Sequence, residues 1–394
     1  MTTPAQRARV GVSVLFFCNG AMIANIVPRI PAVKADLGLS NTALGTALAV
    51  GPVGALLMGV LAGVMVERWG SRRVAVVFGV LQALAVPLVA LAPNWLALAV
   101  AFLALGVLDG VMDVSMNAHG LRVQRSYGRS IINSFHGLWS IGAVAGGLTG
   151  SAMAGLAVPV EAHLLGAGLV LAAAVAATAG VLLPGSDEPP APEGEDAPAV
   201  VAGGRRRALP VLVVLGLVAA LGGVVEDAGA TWGTLYLTGL GAAPAVAGLG
   251  FVALQSAMTV GRLLADRVVT RFGERTVARA GALLATGGMT VALLVGRPLV
   301  TILGFACAGL GVATLFPAAY HAADTIPGLP RGFGLAVVSW VARAGFLLSP
   351  PVIGALADAA GLRSALVVVP VGTLVVLLLS GALAQRAAAD PHLR

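Results

Sequence analysis

The nine residues VERWGSRRV at 66–74 return, altered but recognisable, as VTRFGERTV at 269–277. At a constant offset of 203, Arg68 matches Arg271, Trp69 matches Phe272, Gly70 matches Gly273, Arg72 matches Arg275 and Val74 matches Val277. Gly106 and Gly309 keep the same offset further along. Each copy follows an apolar block long enough to cross a hydrocarbon core, which takes a helix of about twenty residues. Similar blocks fall on either side, at 10–31, 42–66, 74–92, 96–118, 131–153, 162–183, 209–230, 245–266, 276–296, 299–321, 334–357 and 364–385. The two copies thus follow the second span of each set of six. That placement implies two parallel repeats related by an axis along the membrane normal.

Composition agrees. Of 394 residues, 58% are hydrophobic and 10% charged, where a soluble domain keeps roughly a quarter charged. Bare backbone cannot sit in lipid, so each block is expected to be a helix; the period-two alternation of barrel strands is missing. The expected fold is an all-α membrane protein with twelve transmembrane helices in two six-helix bundles. The N-terminal MTTPAQRAR leads straight into a full-length span without a cleavage-site pattern, so that span is read as retained. Residues 184–207, PGSDEPPAPEGEDAPAVVAGGRRR, are rich in Pro, Gly and acids and are expected to form a flexible linker. They separate a bundle at 1–183 from one at 208–394.

The net charge of +7 raises the question of nucleic acid, and position answers it. With the N-terminus in the cytoplasm, only Arg29, Lys34, Arg297 and Arg363 fall outside and Arg343 inside a span; every other Lys or Arg is cytoplasmic. This is the positive-inside bias, so the basic charge orients the chain and binds no nucleic acid. The expectation is a multi-pass protein of the cell membrane with both termini cytoplasmic. Cys18 and Cys307 fall in spans and are read as small packing residues.

The stretch GVLAGVMVERWGSRR at 59–73 resembles the signature loop of the major facilitator superfamily, with Gly63, Arg68, Gly70 and Arg72 at matching positions. Glu67 stands for the usual aspartate, Ser71 for a basic residue, and Arg73 completes the basic end. The resemblance implies the two-bundle fold and a gating loop that pairs with the neighbouring bundle in one conformation. LDGVMDVSMNAHG at 108–120, with GRSIINSFHGLWSIG at 128–142, is similar to the subgroup containing the MosC and YbjJ membrane proteins. More distantly it resembles the fucose–proton symporters. That likeness implies a proton-linked acid at Asp113, its asparagine at Asn117 and His136 just after Phe135. Asn133 replaces the expected glutamine, and the first span offers Asn19 and Asn25 but no acid.

The residues themselves point the same way. Asp109, Asp113 and Asn117 are spaced i, i+4, i+8, which stacks them on one helix face. Counted from residue 96, Asp109 lies about 20 Å deep and Asp113 about 25 Å. An acid at that depth costs about 2.5–3.5 kcal/mol to insert, so both are expected to face a cavity and to exchange protons there. His136 lies at a similar depth and is a candidate titrating partner. His119 is expected at the interface. In the second half, Glu226 and Asp227 lie about 25 Å into the seventh span, pointing about 100° apart, so one is expected to face the cavity. Trp232 and Tyr236 follow, as interfacial belt or as stacking surface. Arg343 is the cation inside a span, either neutralising an acid or binding solute. Arg262 and Asp266 are assigned to the gating loop. One polar pocket is expected to unite Asn19, Asn25, Asp109, Asp113, Asn117 and one of Glu226 or Asp227. Gly142, Gly146 and Gly147 are expected to let helices approach closely.

The functional expectation is a proton-coupled secondary transporter of a small polar, sugar- or inositol-like solute. A proton-antiporting exporter of the same fold is the alternative; GAVAGG at 142–147 lacks the proline often found there in exporters. No HExxH, serine elbow, Cys/His cluster or P-loop occurs in the sequence, so neither an enzyme nor an ATP-driven pump is expected. The expected partners are solute, protons and bilayer, with no cofactor or metal, and the expected state is a monomer.

Overall fold

A peptide group left unpaired in hydrocarbon costs several kcal/mol, so a chain this apolar has to close its backbone hydrogen bonds along helices. The computed structural model describes residues 3–185, 204–326, 329 and 332–383, and every long element among them is a helix. In chain order these are α1 (Pro4–Asp36), α2 (Asn41–Trp69), α3 (Ser71–Leu91), α4 (Trp95–Tyr127), α5 (Ile132–Gly155) and α6 (Val160–Gly180). The second bundle comprises α7 (Ala208–Gly239), α8 (Pro244–Phe272), α9 (Glu274–Val295), α10 (Pro298–Asp324), α11 (Phe333–Ala360) and α12 (Leu362–Leu383). Eleven of the described helices are long and apolar enough to span a bilayer. The twelfth, α5, has 24 residues but carries Asn133, Ser134, His136 and Ser140, which lower its hydropathy. Of the expected linker at 184–207, residues 186–203 lie outside the described residues, and helix begins at Gly204.

Several ends are fixed locally. Thr3 and Gln6 form a capping box on α1, Ser40 caps α2, and Asn94 caps α4. The α2–α3 and α8–α9 turns are made by single glycines, Gly70 at φ 84° and Gly273 at φ 79°, a region that side chains rarely enter. The sequence repeat therefore becomes one turn used twice. Arg29, expected on the outer side, lies towards the Gly38 end and is buried within the fold. The chain passes Pro28 in a 3₁₀ turn (Val27–Arg29) and resumes as helix to Asp36, so the Arg29 guanidinium donates to the Val158 carbonyl within the fold.

Within each half, missing side chains set the packing. A methyl on Gly106 of α4 would lie 1.9 Å from the Gly51 carbonyl of α2. At the same offset of 203, one on Gly309 of α10 would lie 2.1 Å from the Leu254 carbonyl of α8. Gly142 of α5 meets the Phe17 carbonyl of α1 in the same way, at 2.0 Å. With little hydrophobic drive between helices in lipid, such close backbone contact supplies the attraction.

The halves meet at the end that carries the α1–α2 turn at Gly38. There a Cβ on Gly45 of α2 would lie 2.2 Å from the Pro350 carbonyl of α11, and Gly147 and Gly155 of α5 abut Phe251 and Ala245 of α8. At the Gly70 end, by contrast, Gly63 has nothing within 4 Å. Among the described residues, the glycine contacts between the halves gather at the Gly38 end.

Gly142→Ala should lower the melting temperature, at a cost of about 1–3 kcal/mol from overpacking against α1. Gly166→Ala, where an added methyl meets nothing within 4 Å, should leave it unchanged or slightly higher. Thermal unfolding in detergent followed by tryptophan fluorescence compares the two, and equal behaviour would contradict the packing account.

Candidate functional site

Between the halves lies a cavity of about 830 Å³, lined from α1, α4 and α5 on one side and α8 and α10 on the other. The i, i+4 spacing on α4 delivers Asp109 and Asp113 to its wall, as the helical period requires. Asn19 comes from α1, His136 and Trp139 from α5, Arg262 and Asp266 from α8.

Asp109 is the more enclosed acid. Its Oδ1 accepts from Asn19 Nδ2 at 2.8 Å and from Gln82 Nε2 of α3 at 2.9 Å. Asn19 Oδ1 in turn accepts from the Trp139 indole N–H at 2.8 Å. A carboxylate, two amides and an indole thus link α1, α3, α4 and α5 around one oxygen. Asp113 stands freer, exposed in the cavity. Its Oδ1 accepts from Asn117 Nδ2 at 3.1 Å, and that same nitrogen donates to the Asp113 carbonyl at 2.9 Å. Arg343, from α11 of the other half, lies within electrostatic reach of Asp113. His136 packs edge-on against Phe16, ring centroids 5.1 Å apart, and faces the field of Arg262.

In the second half the adjacent acids diverge. Glu226 pairs with Arg262 at 3.7 Å. Asp227 accepts from Thr231 Oγ at 2.8 Å and from Ser349 Oγ of α11 at 2.7 Å. A π-helical turn, Ala228–Trp232, begins right after Asp227; such turns shift the register of a helix face and recur at functional sites.

Several expectations need correcting. Of the expected shared pocket, Asn117, Glu226 and Asp227 are not among the residues that line the cavity. Asn25 does not share the cavity: its Nδ2 donates to the Ala21 carbonyl and its Oδ1 accepts from His163 Nε2, in a separate crevice between α1, α5 and α6. Trp232 and Tyr236 form no interfacial belt, because the π turn carries them into the core of the second half. His119 sits at the Gly70 end, at the depth expected of it, but inside the protein. It is fully buried, with Nε2 accepting from the Leu183 N–H at 3.3 Å, so its Nδ1 carries the proton and donates to Ser71 Oγ at 2.8 Å. Arg262 and Asp266 belong to the cavity wall. In the signature loop, Glu67, Arg68 and Arg73 are exposed around Gly70, while Arg72 donates to the Ala179 carbonyl at the end of α6. That contact stays inside one half.

Two residues of the site were not foreseen, Gln82 and Trp139. Gln82 is the one strongly polar side chain in the apolar run 74–92, which is a signal. Trp139 shares the face of α5 marked by His136 and Ser140, but an aromatic in a span is ordinarily packing. Among the described residues no group of three or more metal-ligating side chains gathers, and Cys18 and Cys307 are both free thiols.

The profile of the Major Facilitator Superfamily matches residues 12–240 and 212–392. An MFS-type transporter of Yersinia pestis is 31% identical over 389 residues, covering 98% of this chain and 96% of its own. The membrane protein MosC of Rhizobium meliloti is 31% identical over 377 residues, covering 95% and 90%. In fold, the chain is similar to a bacterial homolog of the human lysosomal transporter Spinster in an inward-facing, unoccupied conformation. The TM-score is 0.75 at 14% identity, over 97% of this chain and 98% of that one.

Because Asn19 and Gln82 share one acceptor oxygen, and Asn19 Nδ2 also reaches Gln82 Oε1 at 3.3 Å, their contributions should not add. A double-mutant cycle with Asn19→Leu and Gln82→Leu should show a coupling of about 0.5–3 kcal/mol in thermal unfolding. Strict additivity would mean that Asp109 is not the common partner.

Proposed function

The chain belongs to the major facilitator superfamily, and on that premise we propose that it couples proton movement to transport of a small polar, sugar- or inositol-like solute. The halves 1–183 and 208–394 rock about the central cavity, exposing it to one side of the cell membrane and then the other. Both termini lie in the cytoplasm, a reading supported by the clustering of Arg7, Arg9, Arg68, Arg72, Arg122, Arg271 and Arg275 at the Gly70 end. The Gly70 end is then the inner one, the Gly38 end the outer one, and the cavity opens inward.

One observation carries the coupling: Asp113 stands on the cavity wall of one half, within electrostatic reach of Arg343 on the other. Charged, it attracts the guanidinium across the gap; protonated, it releases it. The proton therefore changes the free energy of an arrangement between halves, which is what coupling requires. Asp109 takes a different part. Its oxygen is held by Asn19 and Gln82, and through Asn19 by Trp139, so its state is transmitted to a wall that a solute would touch. Hydroxyl groups would find Asn19, His136, Arg262 and Asp266 as partners and the Trp139 ring as a stacking face. A cavity of this size and polarity suits a monosaccharide-sized neutral solute.

Asp113→Asn should abolish solute accumulation driven by a pH jump in proteoliposomes while counterflow exchange persists, because the amide mimics only the protonated state. Accumulation at the unmutated level would remove Asp113 from the coupling path. A thermal-shift screen of sugars and inositols against cationic compounds tests the solute class. Stabilisation by the cations alone would favour an exporter.

A further inference from the structure

The α11–α12 turn contains a third copy of the signature. Gly354, Asp358, Gly361 and Arg363 repeat the spacing of Gly63, Glu67, Gly70 and Arg72 over most of its length, now at the opposite end of the bundle. The geometry repeats with it. Gly361 takes φ 81° and ψ 157°, against 84° and 140° at Gly70. The Gly361 N–H reaches the Ala357 carbonyl at 2.9 Å, as Gly70 reaches Val66 at 2.8 Å. Arg363 donates to the Leu294 carbonyl near the end of α9, as Arg72 does to Ala179 near the end of α6.

The two copies differ in what faces them. At the inner end Gly63 meets open space and Glu67 is exposed. At the outer end a Cβ on Gly354 would lie 2.4 Å from the Asn41 carbonyl, so α11 touches the start of α2. Asp358 then spans the junction: Oδ1 accepts from the Asn41 N–H at 2.9 Å and Oδ2 from the Thr42 N–H at 2.8 Å. The next N–H of α2, Ala43, is met by Ser40 of its own cap at 3.0 Å. The first two donors of a helix have no intrahelical acceptor, and here the other half supplies it with a full negative charge at the positive end of the helix.

We propose that the α11–α12 turn is a second, inverted gate loop, and that Asp358 is the residue that holds the outer end shut by capping α2. Gly354 sets the close approach, Gly361 aims the turn, and Arg363 anchors it to α9. Opening outward breaks both Asp358 bonds and hands Asn41 and Thr42 to water. The bidentate geometry makes this a positioning role in alternating access, independent of which solute or ion is carried.

The test uses purified full-length protein in detergent, with Cys18 and Cys307 replaced by alanine and Thr234→Cys as reporter. Thr234 is fully buried, lines the crevice between α1 and α7 at the outer end, and its hydroxyl has no partner to lose. Maleimide labelling of this cysteine should be slow in the parent and about tenfold faster in Asp358→Ala. Asn41→Pro removes one donor where proline fits the first helical turn, and should also speed labelling, without adding to Asp358→Ala. Asn94→Ala removes the cap of α4 at the same end, has no bond to Asp358, Asn41 or Thr42, and should not. Unchanged labelling in both Asp358→Ala and Asn41→Pro overturns the proposal, as does equal acceleration by Asn94→Ala, which would indicate general fraying at this end. Should Asp358→Ala fail to fold, Asn41→Pro decides.

Discussion

The price of an unpaired polar group in hydrocarbon organises this molecule from its backbone to its cavity. It forces the peptide groups into helices, and it leaves few places for the carboxylates on α4 and α7. Asp109 is resolved by direct hydrogen bonds from Asn19 and Gln82, Asp227 by Thr231 and Ser349, and Glu226 by Arg262. Asp113 alone among them stands exposed on the cavity wall with a cation from the opposite half in reach. An acid held by several fixed donors is locked into one arrangement. Asp113 has one side-chain donor, Asn117, and that comes from its own helix.

Helix packing obeys the same constraint by a different route. Lipid offers no reason for apolar helices to leave it, so the halves are built on backbone contact at Gly51, Gly106, Gly142 and Gly309. These contacts lie within a half and make each a stiff body. Contacts between halves are of another kind. They combine glycine approaches at Gly45 and Gly354 with the two bonds of Asp358, all gathered at one end.

The twelve helices, the repeat and the paired acids of α4 were legible in the chain itself, because hydropathy and the helical period are local properties. Each predicted span overlaps its helix, although α4 and α7 each run nine residues further, to Tyr127 and Gly239. The signature glycines were legible for the same reason: a residue at φ near +80° is announced by its type. Gln82 could have been read as well, since a lone amide in an apolar run needs a partner somewhere.

Only the tertiary structure decided which polar residues share a partner. Asn19 and Asn25 are six residues apart on one helix, yet one joins Asp109 in the cavity and the other joins His163 in a separate crevice. Depth along a span comes from counting, but azimuth depends on local departures from the ideal helix. The 3₁₀ turn at Val27–Arg29 and the π turn at Ala228–Trp232 each break the regular helical period, and the last residue of each turn, Arg29 and Trp232, is buried. The sequence by itself determined that this chain crosses a membrane as two related bundles with acids inside, because burial energy is summed residue by residue. It could not determine which acid stays free, because that depends on donors brought from other helices by the packing of the whole.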